Sequence, residues 1–211
     1  MDRIVHDPRR LDGEFTKLFY DIRKCKDDRK CPQLISRRFY FEPNPDTIKK
    51  WEKEGIYCKD IDRSVMFVCE GPGKKPTVTE NNSATLQCWN NTPQDIVFKE
   101  ARSKYKFSNC YITNTVKCGY KKGKKHSKDE IVSCMEFLVK EIELVNPLVV
   151  VGVGKNAYDV LRWKVLPKLP NTPVLFQITH YSSRGNEANR WPIEFPELKR
   201  LIKRLRPKGN W

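Results

Sequence analysis

No stretch of this 211-residue chain is apolar over the roughly 18–20 consecutive residues that a membrane-spanning helix requires. The first residues, Met1-Asp2-Arg3-Ile4-Val5-His6-Asp7, lack the apolar segment of a secretory signal peptide. Internal repeats and low-complexity segments are also absent. These absences argue against membrane-spanning and repeat architectures, and we expect a soluble, cytoplasmic protein.

Acidic residues are scarce relative to basic ones: 26 Asp and Glu stand against 41 Lys and Arg, a formal net charge of +15. Such a one-sided charge favours a polyanionic partner, and nucleic acid is the first candidate. The alternative is a highly charged, solvated surface of the kind that thermophile proteins carry. The length suits one α/β core better than two full domains. We expect a monomer with a single domain over residues 1–211 and an irregular insertion near residues 41–62.

Disulfide bonds are not expected among the eight cysteines of an intracellular chain, which makes metal or cofactor ligation the better interpretation. Cys118 and Cys134 are separated by 15 residues, and Cys25 and Cys31 lie near the start of the chain. Four thiolates suit either an iron–sulfur cluster or a zinc ion.

Helical periodicity and short apolar runs alternate along the chain. Helices are predicted at 14–24, from the capping box Ser127-Lys128-Asp129-Glu130 to Asn146-Pro147, at about 156–163, and around Leu198 to Leu205. Strands are predicted at 65–68, within 110–118, at 148–151 and at 174–178, and residues 74–95 are predicted to form a long loop. This alternation predicts an α/β fold, a three-layer α/β/α sandwich with a central, mainly parallel four-stranded sheet.

Three of these apolar runs end at a polar residue. Glu70 follows the first run, Asn114 follows Tyr111-Ile112-Thr113, and His180 follows the last run. Because parallel strands share one carboxyl edge, where ligands bind in open α/β sheets, these side chains can meet in one cleft. His180 is one of only three histidines, and its place at a strand end favours a functional role over packing.

The segments 65–73, 110–118 and 178–185, in this order and spacing, resemble motifs of the uracil-DNA glycosylase superfamily, most closely its iron–sulfur branch, family 4. The resemblance implies a DNA repair enzyme, a monofunctional glycosylase that acts on damaged single- or double-stranded DNA. Such an enzyme hydrolyses the N-glycosidic bond of uracil, or of a related deaminated or modified base, and leaves an abasic site.

The resemblance also assigns roles. Glu70 and His180 are the expected catalytic residues. The carboxylate positions or deprotonates water, or stabilises positive charge on the sugar, while the imidazole stabilises the departing base at O2. Asn114 presents a donor and an acceptor to the O4 and N3–H edge of uracil. The remaining base-binding candidates are Gly71, Pro72, Gly73 and, as a stacking aromatic, Trp89.

DNA binding is assigned to two loops. Their expected contact residues are Lys121, Lys122, Lys124, Lys125, Ser182, Ser183 and Arg184. Arg184 is the candidate wedge that fills the gap left by the flipped base. We interpret the first loop as a basic backbone contact in which His126 is incidental. The alternative is a histidine that bonds covalently to the abasic sugar, as in one branch of the superfamily.

A [4Fe–4S] cluster with a structural role is the cofactor that the resemblance implies. Its expected ligands are Cys25, Cys31, Cys118 and Cys134, although five residues separate the first pair where the family usually has two. Zinc remains the alternative occupant.

Two departures from the family surround the base pocket. Lys74-Lys75-Pro76 stand where relatives have acidic residues and then a stacking Phe, and Tyr181 follows His180 in place of proline. The excised base therefore stays open among uracil, hypoxanthine, xanthine and a modified pyrimidine. An alternative from a different class is an iron–sulfur nucleic-acid-binding protein without glycosylase activity.

Overall fold

Four parallel strands form the centre of the molecule, which was analysed as a computed structural model. The structure describes Glu14, Lys17, Leu18, Asp21 and Ile22, and then residues 62–71, 93–107, 110–117, 126–181 and 190–206. The strands are β1 (Asp62–Cys69), β2 (Cys110–Asn114), β3 (Val149–Val153) and β4 (Val174–Ile178), in the spatial order β2-β1-β3-β4. The predicted parallel sheet is confirmed, and every pairing in it is parallel.

Four helices connect or follow these strands. They are α1 (Pro93–Lys104), α2 (Lys128–Val145), α3 (Lys155–Val160) and α4 (Trp191–Leu205). A π-helical turn at Leu161–Val165 and a 3-10 turn at Leu166–Lys168 continue α3 toward β4. The described residues near position 18 are also helical, with Leu18 and Ile22 buried as the predicted first helix requires.

Alternate side chains of β1 enter two different hydrophobic cores. Met66 and Val68 pack with Leu138 and Ile142 of α2. On the opposite face, Val65, Phe67 and Cys69 of β1 pack with Phe98 of α1 and Phe195 of α4. Because successive strand residues point to opposite faces, one central strand anchors both helical layers. The three-layer sandwich predicted from the sequence is confirmed.

The start of α2 confirms the predicted capping box. The Ser127 hydroxyl accepts a hydrogen bond from the Glu130 amide at 3.2 Å, and the Glu130 carboxylate accepts one from the Ser127 amide at 2.7 Å. The helix ends at Asn146, whose left-handed φ of 48° directs the chain into Pro147 and β3. The capping box at Ser127 fixes where the segment before α2, which includes His126, meets the sheet.

The sequence pattern does not predict helix α1, and it assigns residues 93–95 to the end of a long loop. Phe98 and Arg102 form its buried stripe, whereas Ile96 and Val97 are 45% and 50% exposed. Those exposed apolar residues break the amphipathic period on which the prediction depended. A different signal was available, because Thr92-Pro93-Gln94-Asp95 has the Thr-x-x-acidic spacing with proline near the helix start.

Within the described part of the chain, no helix combines the length and the apolar composition that crossing a membrane requires.

Candidate active site

Strand register places Glu70 beside Asn114. Cys69, the last residue of β1, pairs with Asn114, the last residue of β2. Backbone bonding continues beyond both ends, since the Thr115 amide donates to the Cys69 carbonyl at 2.8 Å and the Val116 amide to the Glu70 carbonyl at 3.1 Å. The Thr115 hydroxyl also donates to the Glu70 carbonyl. The backbone of Glu70 is therefore fixed at the carboxyl edge while the residue itself remains partly exposed.

His180 reaches the same edge from the other side of the sheet. Val153 at the end of β3 pairs with Ile178 at the end of β4, and the Gly154 amide donates to the Ile178 carbonyl at 2.8 Å. A methyl group added to Gly154 would lie only 2.9 Å from His180 Cβ, and Gly154 has a φ of +86°. Glycine is required here because the backbone is left-handed and the histidine packs directly on it.

The strand order opens a gap between Glu70 and His180. Strand β3 separates β1 from β4, and two inter-strand spacings put their ends roughly 10 Å apart. Gly154 follows β3 and contributes no side chain to this interval. The connection after β1 leads to α1 on one face of the sheet, whereas β3 leads to α3 on the other. Such a divergence is the topological switch point at which open α/β sheets bind ligands.

A buried carboxylate anchors the segment that carries His180. Glu194 of α4 accepts hydrogen bonds from the Thr179 amide and the Thr179 hydroxyl, both at 2.8 Å. The indole N–H of Trp191 donates to the Thr179 carbonyl at 2.9 Å. The first turn of α4 thus holds every polar group of Thr179, which fixes the direction in which the chain enters His180.

Tyr181, which follows His180 where the motif described above has a proline, extends an aromatic stack. The His180 and Tyr181 rings stack with centroids 4.3 Å apart, and Tyr181 stacks on Phe98 of α1 at 5.1 Å. The ring of His180 is therefore supported by α1 as well as by Gly154.

The imidazole of His126 lies in the wall of the site. Its side chain is 2% exposed, and its Nδ1 is 3.6 Å from a carboxylate oxygen of Glu130. A methyl group added to Gly71 would fall 2.2 Å from His126 Nε2, so the ring sits directly on the glycine that follows Glu70. Burial lowers the pKa of His126 below its ordinary value, although the charges of Glu130 and Glu70 oppose this shift. The sequence placed His126 in a basic loop but gave no sign of its contact with the first motif.

Sequence reasoning also missed a buried polar network beneath the end of β2. Glu141 of α2 faces Lys117 and accepts hydrogen bonds from the hydroxyls of Tyr111 and Thr113. Burial raises the pKa of Glu141, against the opposing influence of the Lys117 ammonium group and of these hydrogen bonds. Glu141 lies between Leu138 and Val145 on the buried face of α2, so its helical spacing was a signal of burial that the prediction did not use.

Cys134, one of the four expected cluster ligands, is buried on α2 at 5% exposure, and its Sγ accepts a hydrogen bond from the Lys117 amide at 3.5 Å. The other three expected ligands lie outside the described residues, as do several base- and DNA-contact candidates. These are Cys25, Cys31, Cys118, Pro72, Gly73, Trp89, Lys121, Lys122, Lys124, Lys125, Ser182, Ser183 and Arg184.

A family model described as "Uracil DNA glycosylase superfamily" matches residues 55–206, which include every strand of the sheet and helices α1 to α4.

The chain belongs to the uracil DNA glycosylase superfamily.

Two curated relatives of this superfamily member carry the name Type-4 uracil-DNA glycosylase. The protein of Thermotoga maritima is 29% identical over 99 residues, which cover 46% of this chain and 48% of that protein. The protein of Saccharolobus solfataricus is 30% identical over 59 residues, or 28% of this chain and 27% of that protein. The matched segments thus span about half and about a quarter of the relatives' own lengths. The resemblance indicated by the sequence motifs is confirmed.

The contact between Gly71 and His126 predicts a coupled effect on stability. Gly71→Ala should lower the free energy of unfolding by about 1–3 kcal/mol, because the new methyl group overlaps the imidazole and neither side can yield freely. In a His126→Ala background the same substitution should cost much less. Urea unfolding of wild type, both single variants and the double variant measures this coupling. Equal costs in the two backgrounds would show that the contact does not constrain Gly71.

The lowered pKa of His126 predicts a specific pH dependence. Below about pH 6.5 the unfolded chain binds a proton at His126 that the folded chain resists, so stability falls as the solution is acidified. His126→Gln removes this contribution. As the pH falls from about 7.5 to about 5.5, the free energy of unfolding of wild type should therefore decrease relative to that of this variant. A difference that is constant over that range would contradict the prediction.

Proposed function

We propose that this protein is a DNA repair glycosylase that hydrolyses the N-glycosidic bond of uracil, or of a related deaminated or modified base, in DNA. It leaves an abasic site and acts monofunctionally, without cleaving the strand. The observation that carries the proposal is the convergence of Glu70, Asn114 and His180 at one carboxyl edge of the sheet, around the gap at Gly154. The superfamily membership and the two Type-4 relatives support the same activity.

Glu70 is suited to the sugar side of the reaction. Glycosidic cleavage proceeds through an oxocarbenium-like state, and a carboxylate held nearby stabilises that positive charge or orients the attacking water. The Glu70 carbonyl is held by Thr115 and Val116, so the backbone that carries the carboxylate is fixed at the carboxyl edge. Gly71 then lets the chain pass close to the His126 ring.

Asn114 and His180 are suited to the base. Asn114 is 1% exposed, and its amide offers the adjacent donor and acceptor that the O4 and N3–H edge of uracil requires. His180 is supported by Gly154 and Tyr181 and would donate a hydrogen bond to O2 of the departing base. A base inside a duplex cannot reach such a site, so the target nucleotide must be flipped out or single-stranded.

DNA binding is the proposed role of the basic surface. The net charge of +15 supplies the electrostatic attraction to phosphates, and the candidate contacts Lys121 to Lys125 and Ser182 to Arg184 follow Lys117 and Tyr181 in the sequence. Helix α4 is a lesser candidate. It runs toward the opposite edge, where Arg206 donates to the Ser64 hydroxyl at 2.7 Å.

A [4Fe–4S] cluster is the proposed cofactor, held by Cys25, Cys31, Cys118 and Cys134. The described part of this set fits the role, because the Cys134 thiol is buried and accepts a backbone hydrogen bond of the kind that cluster sulfurs receive. Cys118 is the residue that follows Lys117, the donor in that bond. When bound, the cluster would contribute structural cross-linking and no redox step. The hydrolysis itself depends on the residues of the cleft.

A single-uracil oligonucleotide incubated with the protein and then treated with alkali tests the proposed activity. Cleavage at the uracil after alkali, and none before it, is the expected result. A panel carrying hypoxanthine, xanthine and modified pyrimidines in single- and double-stranded form identifies the base. DNA binding without excision of any base on the panel would overturn the proposal in favour of a nucleic-acid-binding protein.

His180→Ala should lower single-turnover excision by about 10²–10³-fold while DNA affinity stays within a few-fold. The reason is that a donor to the leaving base acts mainly in the transition state. Glu70→Gln should also reduce the rate, and Asn114→Asp should change which base is accepted. Glu136→Gln, an exposed carboxylate of α2, is the matched control for charge removal. Excision by His180→Ala at the wild-type rate would show that the pocket lies elsewhere.

Cys134→Ala should remove the cluster and destabilise the fold, because cluster-binding energy is in part folding energy. Cys58→Ala should retain the cluster and serves as the control. Iron analysis and visible absorbance of anaerobically prepared protein, which should be brown, measure the result. Zinc without iron in the wild-type protein would contradict the cofactor assignment.

A further inference from the structure

A buried ion pair lies directly beneath the end of β2, and the proposed reaction assigns no role to either of its residues. The Lys117 ammonium group and the Glu141 carboxylate are in contact, with side-chain exposures of 6% and 0%. Lys117 follows β2 by three residues, and Glu141 lies in the middle of α2. The pair therefore joins the strand end to the helix that covers it.

The ammonium group is oriented toward Asn114. Lys117 Nζ donates to the Asn114 carbonyl at 2.8 Å and to the Thr113 hydroxyl at 2.8 Å, in addition to its contact with Glu141. The Thr113 hydroxyl in turn donates to Glu141 at 3.1 Å, and the Tyr111 hydroxyl donates to the same carboxylate at 3.3 Å. All the donors of the ammonium group are directed inward, so Lys117 has no surface from which to contact a DNA phosphate.

Stability alone does not explain such a pair. Desolvating two charges is so costly that apolar residues of similar volume are often neutral or stabilising in their place. What an apolar pair could not provide is a hydrogen-bond donor aimed at the Asn114 carbonyl. The geometry of this donor is fixed from below by Glu141, Thr113 and Tyr111.

Residue 117 is also bonded at its backbone. Its amide donates to Cys134 Sγ at 3.5 Å, and Cys134 precedes Glu141 by two helical turns on the same face of α2. The backbone and the side chain of Lys117 thus both bind α2, at positions two helical turns apart. The result is a rigid connection between α2 and the residue that ends β2.

We propose that Lys117, held by Glu141, is a positioning residue for the base-recognising amide of Asn114. The inference rests on the proposed glycosylase function and extends it. By fixing the Asn114 carbonyl, the ammonium group fixes the peptide unit next to the Cα that carries the Asn114 side chain. Misplacement of such a group by about 1 Å is enough to reduce a reaction rate by about 10²-fold.

The test replaces both charges together, so that neither is left buried without its partner. Lys117→Met/Glu141→Leu removes the donor to Asn114 and keeps the approximate volume of both side chains. The matched control is Lys155→Met/Asp159→Leu. It removes an ion pair with the same signs and a spacing of 2.8 Å, but on an exposed surface of α3. Both double variants leave the net charge of the protein unchanged.

The buried double variant should lower single-turnover excision at saturating uracil-containing DNA by about 10–100-fold. Its DNA affinity should remain within a few-fold of wild type. Its visible absorbance should be retained, since the backbone bond from residue 117 to Cys134 does not depend on the side chain. The control should match wild type in all three measurements. Excision at the wild-type rate by a folded Lys117→Met/Glu141→Leu protein would overturn the proposal.

A second measurement separates this proposal from the proposed function. NMR chemical shifts and hydrogen exchange report the Asn114 backbone and side-chain amides, whether or not the protein excises uracil. The buried double variant should shift these signals and speed their exchange, and the control should not. If wild type excises no base, the glycosylase assignment is wrong, and unchanged Asn114 signals in the buried variant would still overturn the positioning role. If the double variant does not fold, Lys117→Met/Glu141→Gln replaces it. Gln at residue 141 keeps an oxygen that accepts from the Tyr111 and Thr113 hydroxyls and leaves no unpaired charge, while the donor to the Asn114 carbonyl is still removed, so the same results are expected.

Discussion

Parallel pairing on both sides of β1 is the constraint on which the site depends. The registers of β1 align Cys69 with Asn114 of β2 and Val68 with Gly152 of β3, and the register of β3 aligns Val153 with Ile178 of β4, so all four strands end at one edge. Once that edge is formed, the positions of the residues that follow each strand are closely restricted. Glu70 and Asn114 become neighbours on one side of Gly154, and His180 packs against its other side. A shift of register by one residue would turn every side chain of a strand to the opposite face and dismantle both cores.

Buried charged groups near this edge bind backbone as well as each other. Glu194 accepts from the Thr179 amide, and Lys117 donates to the Asn114 carbonyl. Arg102 acts in the same way at the opposite edge of the sheet, where it donates to the carbonyls of Phe107 and Cys110 as the chain enters β2. Each of these backbone groups lies where regular pairing ends and would otherwise be buried without a partner, at considerable cost. Local precision at the cleft is thereby obtained from charges that contribute little to overall stability.

Glycine and aromatic residues also determine the shape of the cleft. Gly71 admits the His126 ring, and Gly154 admits His180. Tyr181 and Phe98 then support the His180 ring from the side of α1. The residue after His180 thus links the His180 ring to α1 by ring stacking. Gly154, which follows the strand between those of the two catalytic candidates, has no side chain and so leaves room for His180 to pack on it.

The sequence by itself determined the parallel α/β sandwich, the limits of α2 and the three strand-end residues, because periodicity, capping and abrupt polar ends are local signals. It did not determine α1, whose exposed Ile96 and Val97 obscure the stripe formed by Phe98 and Arg102. Only the tertiary structure placed His126 on Gly71 and Lys117 on Asn114 and Glu141. Residues 71 and 126 are distant in the chain, as are residues 117 and 141, and the local sequence does not indicate which distant residue each of them contacts. Their burial is decided when α2 packs on the sheet, and packing is a property of the whole fold rather than of any segment.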